Sequence, residues 1–234
     1  MAAHIIPRAF IKPLMKGQLK QVVIELSPED PYHKRELQSG IFDRGILCGD
    51  CDRALGELDA FGVKYLRKQP DIKNLGFHNL AYDLGITDIS QLKRFFLSIM
   101  WRASVTSQKF FQTAKLEKEQ ELEIQNLIES EDTIPAKRFE CLIFYYFDAP
   151  IKGGFSPPWI CEFEGIKTYN LYLPFYTIRI RIDPKSWPEG LSKVSLGQVP
   201  RLQCLRFPFS QSLEEQMQNK VISGSLRREF GRRK

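Results

Sequence analysis

Two short stretches near the start of the chain carry the residue types that do chemistry. The first is His4-Ile5-Ile6-Pro7 and the second is Ile46-Leu47-Cys48-Gly49-Asp50-Cys51-Asp52. An imidazole titrates close enough to neutrality to take a proton from water. Pro7 stiffens the segment that follows His4. The CxxC spacing lets two thiolates converge on one ion, or sets one thiol at a helix start. If the residues after Cys51 are helical, Asp52 and Asp59 lie seven positions apart, almost two turns, and share a face. Glu57 falls on another face. A base, acidic oxygens and a rigid scaffold are what metal-assisted hydrolysis of a phosphodiester needs. The rest of the chain offers no phosphate-cradling glycine loop, nucleophile elbow or second metal motif.

Each of these residues also has a structural explanation. A histidine near a terminus commonly faces solvent, and an acid such as Asp52 suits a first helical turn through the macrodipole. Asp59 fits the surface of an amphipathic helix. A closed structural zinc site takes four ligands, and Cys48 and Cys51 supply two. His33 and His78 are the remaining histidines that could complete it.

The elements that must position these groups are legible from periodicity and breakers. Gln21–Leu26 reads as a strand that Pro28 and Pro31 end, and Cys51–Leu66 reads as a helix with Leu55, Leu58 and Phe61 on one side. Asp88 or Ser90 can cap a helix over Gln91–Ser104, with Leu92, Phe95, Phe96, Ile99 and Met100 inward. A further helix opens at Thr113, with Leu116, Ile124, Leu127 and Ile128 packed and its glutamates toward water; Pro135 ends that region. Four aromatic and β-branched segments then predict strands: Cys141–Phe147, Trp159–Phe163, Thr168–Leu173 and Phe175–Ile182. Alternation from Thr177 to Ile182 predicts one buried face and one carrying Arg179 and Arg181. The expected build is α+β: a site region over 1–70, a helical region over 71–135 and an antiparallel C-terminal β-sheet over 136–234 with a basic tail, all in one compact unit.

Composition narrows the class. The 234 residues are 43% hydrophobic, 12% aromatic and 26% charged, which is ordinary for a globular protein with a sizeable core. No apolar run approaches the roughly 20 residues a membrane span requires, and Met1-Ala2-Ala3-His4 lacks the basic start and apolar core of a signal peptide. A cytoplasmic protein without membrane association is expected. Five cysteines, an odd count, argue against a disulfide framework. The net charge of +6 favours polyanionic partners, and Leu226–Lys234 packs five cations into nine residues. That tail, with Arg227 and Arg228, reads either as solvated or as a phosphate-contacting arm.

His4-Ile5-Ile6-Pro7-Arg8-Ala9-Phe10 and the run from Ile46 to Asp59 resemble an HNH-like (ββα-metal, His-Me finger) family of bacterial proteins. Its members share the pattern HIIPxxF…LCxxCExxFxxxE, with Asp52 and Asp59 here in place of the two glutamates. Phe95–Ser104 is similar to the SxxWR helix that follows in the same family, so the matches run from His4 to Ser104. The resemblance implies an N-terminal ββα site with His4 as general base and Asp52 where an asparagine often orients that base. It places Asp59 at the last metal-binding position and Cys48 with Cys51 in a zinc knuckle. Mg²⁺ or Mn²⁺ would be the catalytic ion and Zn²⁺ a structural one.

The expected activity is metal-dependent endonucleolytic hydrolysis of DNA or RNA, with a setting in bacterial defence or a mobile element by analogy. Arg179, Arg181, Arg227 and Arg228 would supply backbone affinity. The alternative expectation is a catalytically inactive HNH-like module that binds nucleic acid or a partner protein, alone or as a homo-oligomer. Ala3 points that way, because active HNH enzymes often present a polar residue before the histidine. A zinc-dependent adaptor with no nucleic-acid role is a third. Trp101 and Arg102 either contact nucleic acid or belong to the core, the arginine paired with a carboxylate.

Overall fold

The structure is a computed structural model that describes residues 3–11, 21–25, 33–37, 40–67, 69–71, 73, 75–76, 80–148, 156–198, 201–216 and 219. Arg227, Arg228 and His78 lie outside them. Among the described residues, three sheets and five α-helices follow in the order β1 (Ala3–His4), α1 (Arg8–Ile11), β2 (Gln21–Glu25), β3 (His33–Leu37), β4 (Phe42–Asp43), α2 (Gly49–Leu66), β5 (Leu75–Gly76), β6 (Ala81–Ile86), α3 (Ile89–Val105), α4 (Lys118–Glu129), β7 (Cys141–Tyr146), β8 (Trp159–Phe163), β9 (Ile166–Tyr172), β10 (Thr177–Arg181), α5 (Glu189–Ser192) and β11 (Arg201–Phe207). The α+β class holds. Among the described residues no helix is long and apolar enough to cross a membrane.

The main sheet has seven strands in the order β5-β6-β11-β7-β10-β9-β8. It is mixed rather than antiparallel, because β11 returns beside β7 in parallel, Leu205 opposite Phe144. It also takes β5 and β6 from the stretch expected to be helical, so its strands come from both sides of α3 and α4. The two remaining sheets are antiparallel pairs, β1 with β4 and β2 with β3.

Helix α3 is the centre of the molecule. Asp88 caps it by accepting from the Gln91 backbone N–H at 2.9 Å, which frees the Ser90 hydroxyl to accept from Ile134 N–H at 3.0 Å. Leu92, Phe95, Phe96, Leu97, Ile99, Met100 and Ala103 have no exposed surface. The helix is therefore apolar well beyond the single stripe of a surface helix. One side meets the sheet through Ile143, Tyr145, Leu171, Ile178 and Ile180, which share its core. Helix α4 starts at Lys118 rather than Thr113. Glu117 and Gln120 form a reciprocal capping box there, and Lys109–Ala114 is a 3-10 turn. Its Glu121 does not face water: it is buried and accepts from the Ser104 hydroxyl at 2.6 Å.

Helix α2 lies close against α3 because Gly62 has no side chain. A Cβ there would sit 2.3 Å from the Phe95 ring, which has no exposed surface to move into. Gly62→Ala is expected to destabilise the fold by about 1–3 kcal/mol through overpacking, read as a lower urea midpoint. Phe95→Leu added to Gly62→Ala should recover part of the loss, and a neutral Gly62→Ala would contradict the close approach.

The expected exposed arginine face of β10 is a correction. Every residue of the strand is buried, Arg179 and Arg181 included. The sheet face opposite α3 is covered by a second apolar cluster around Leu142, Phe144, Ile166, Trp187 and Val194. Arg179 Nη2 donates to Glu214 Oε1 at 3.0 Å, and its guanidinium stacks 4.1 Å from the centre of the Phe163 ring. Arg181 Nε donates to Glu140 Oε2 at 2.9 Å. Neither is available to a polyanion in this arrangement.

Candidate functional site

The N-terminal site region is two short strands and a helix brought together from distant sequence. Ala3 pairs with Asp43 and His4 with Phe42, and the Ile5 N–H extends the ladder to the Ile41 carbonyl at 3.1 Å. Ile5, Ile6 and Phe10 anchor this edge in the core. Gly40, at φ +87°, lets the chain return against α1: a Cβ there would lie 2.3 Å from Ile11. The His4 ring is half-buried and packs at a tilt on Phe42, 6.1 Å between centres.

Asp43 ends β4 and fixes the turn into α2. Its Oδ1 accepts from the Gly45 N–H at 2.9 Å, and its Oδ2 accepts from the Thr106 hydroxyl at 2.6 Å and the Ser107 N–H at 3.2 Å. The Thr106 hydroxyl, followed by the Gly45 amide, holds the carboxyl below its ordinary value. Sequence reasoning missed Asp43; the Asp43-Arg44-Gly45 turn was the available signal.

Cys48 is the N-cap of α2. Its Sγ accepts from the Cys51 N–H at 3.3 Å, and the two sulfurs lie 3.1 Å apart, both exposed. The Cys51 backbone N–H lowers the Cys48 thiol, and the side-chain hydrogen bond with Cys48 raises the Cys51 thiol. Asp52 occupies the first turn, half-buried, as the macrodipole favours.

The residue that joins these parts is Arg102 of α3, whose side chain is 2% exposed. Its Nη1 donates to Asp59 Oδ2 at 3.0 Å and to the His4 carbonyl at 2.8 Å. Its Nη2 donates to Asp59 Oδ1 at 2.6 Å and to the Ser98 hydroxyl at 3.2 Å, and its Nε to the Ser98 carbonyl at 3.1 Å. A guanidinium has five N–H donors, and all five are used. Arg102 is thus a buried node that ties β1 to α2 and α3, and phosphate contact would have to break it.

The residues present do not fit a divalent ion held by Asp59. Both its oxygens are committed to a buried cation in a bidentate pair. Both oxygens of Asp43 are also engaged. Among the described residues no three His, Cys, Asp or Glu side chains converge as ligands. Cys48 and Cys51 amount to half of a tetrahedral zinc set. The structure therefore brings together His4, through its backbone, with Asp59, and Cys48 with Cys51. It places Arg179 and Arg181 in the main sheet, paired with Glu214 and Glu140. No protein-family model, curated protein or solved structure matches the chain.

Proposed function

We propose that this chain binds nucleic acid through an HNH-like ββα module in which Arg102, rather than a divalent ion, is the cation that holds strand and helix together. The observation that carries this reading is the Asp59–Arg102 pair, which neutralises the acid expected to hold the metal. With that acid neutralised, the exposed cations of the β1–β4 pair are Arg8 and Arg44, one after each strand, with the half-buried His4 ring on β1. The chain's net charge of +6 adds long-range attraction for a polyanion. No step of hydrolysis is assigned to the site.

The test is a mobility-shift series with the full chain on single-stranded DNA, duplex DNA and RNA across a range of salt. Binding is expected to weaken linearly in log–log form with salt, and Arg8→Glu with Arg44→Glu should reduce the slope by about one per charge removed from a phosphate contact. All three substrates should survive incubation with Mg²⁺ or Mn²⁺. Absence of salt-dependent binding would sink the reading and point to a protein partner. The hydrolytic reading draws on one observation, the half-buried His4 side chain on β1 beside Phe42. Cleavage abolished by EDTA and by His4→Ala would establish it instead.

A further inference from the structure

The start of α2 carries a second kind of chemistry, independent of the nucleic-acid reading. Cys48 and Cys51 are both solvent-exposed, and their sulfurs face each other at 3.1 Å. Tetrahedral zinc with bonds of about 2.3 Å would hold two sulfurs roughly 3.8 Å apart. The observed pair is tighter than that. A disulfide needs about 2.05 Å, so a movement of about 1 Å closes the bond. The other cysteines offer no comparable partner: Cys141 and Cys204 are buried, and Cys161 accepts from the Asn170 amide at 3.1 Å.

We infer that Cys48 and Cys51 form a redox-active dithiol that exchanges with low-molecular-weight disulfides and closes to an intrachain disulfide at the start of α2. The two sulfurs have distinct roles. Cys48 Sγ accepts from the Cys51 backbone N–H at the N-cap of α2, where the helix end favours negative charge, so it is the sulfur on which a thiolate is best tolerated. As a thiolate it attacks one sulfur of the small disulfide, whose S–S bond breaks and releases one small thiolate. Cys51 then gives its proton to solvent and attacks Cys48 Sγ. The Cys48–Cys51 bond forms, the mixed disulfide breaks, and the second small thiolate leaves. Two electrons pass from the protein to the small disulfide. The reverse sequence, with a small thiol as reductant, restores the pair. Exposure of both sulfurs permits this approach, and their place within one helical turn avoids any rearrangement of the core.

The test equilibrates the reduced full chain with graded ratios of reduced and oxidised glutathione, quenches with acid and alkylates before mass spectrometry. The peptide containing Cys48 and Cys51 is expected to lose two hydrogens as the buffer becomes oxidising, while Cys141 and Cys204 are alkylated only after unfolding. Cys51→Ser, a change at an exposed position, should trap glutathione on Cys48 as a stable mixed disulfide. Cys48→Ser should leave Cys51 at least about tenfold slower to react, since it lacks the backbone N–H donor and N-cap position that serve Cys48. Two results would overturn the inference. One is a pair that stays fully alkylatable at every ratio. The other is one tightly held zinc per purified chain that protects both sulfurs from oxidation.

Discussion

Arg102→Ala is expected to remove about 3–5 kcal/mol of folding free energy, the usual cost of deleting one partner of a buried ion pair. The loss has three parts. The Asp59 carboxylate, whose side chain is 17% exposed, is left with no counter-charge. The His4 carbonyl and the Ser98 hydroxyl each lose a donor. A cavity opens where, among the described residues, the largest fully buried side chain stood. Arg102→Lys should recover little, because an ammonium cannot present a fork to both oxygens of Asp59 and also reach His4. Asp59→Asn should cost less than Arg102→Ala, since an amide still accepts from the guanidinium. The same variants separate the metal reading from the structural one. If Asp59 holds a divalent ion, added Mg²⁺ or Mn²⁺ should raise the melting temperature of the native chain through linkage and fail to do so in Asp59→Asn. The expectation is that neither responds, and a metal-dependent rise confined to the native chain would refute the guanidinium node.

How far the sequence reaches this arrangement depends on how local each feature is. The two helices that carry the site are legible, because the spacing of Leu92, Phe95, Phe96, Ile99 and Met100 is set by the chain's own geometry, as is the acid-rich start of α2. Arg102 is legible as an arginine beside a core tryptophan that pairs with some carboxylate. Which carboxylate is a tertiary fact: Asp59 sits on a different helix, 43 positions away, and the close approach at Gly62 and Phe95 is part of what brings the helices together. Strands β6 and β11 are similarly non-local, since they pair with each other across the whole helical region. The alternation of β10 predicts strand correctly and misassigns its faces. An arginine row implies water on one side only when nothing covers it, and here Glu140 and Glu214 arrive from outside the strand to neutralise both cations. Of the residues that carry the HNH-like resemblance, the His4 carbonyl and the Asp59 carboxylate meet at one guanidinium, that of Arg102.

The neutralised arginine row gives the other large expected effect, at the corner that leads into β7. Lys93 of α3 donates to the carbonyls of Pro135, Ala136 and Arg138 at 2.8–3.0 Å, and burial lowers its ammonium below the ordinary lysine value. From the other side Arg181 donates to Glu140 Oε2, to the carbonyls of Asp183 and Lys185, and to that of Lys137. Two buried cations thus converge on one segment, and Glu140, itself 1% exposed, is the anion that faces both. Glu140→Ala leaves Arg181 buried against carbonyl dipoles alone and should destabilise the fold by about 3–5 kcal/mol in urea titration. Removing both charges is a different perturbation. Glu140→Leu with Arg181→Met avoids the desolvation cost of each ion, and the double variant should be more stable than Glu140→Ala alone, as replacement of a buried pair often is. Equal losses in the single and double variants would mean that the carbonyls of Lys137, Asp183 and Lys185, not the carboxylate, carry the contribution of Arg181. A Glu140→Ala loss below about 1 kcal/mol would place this pair with surface ion pairs, and the burial argument for the β10 face would fall with it.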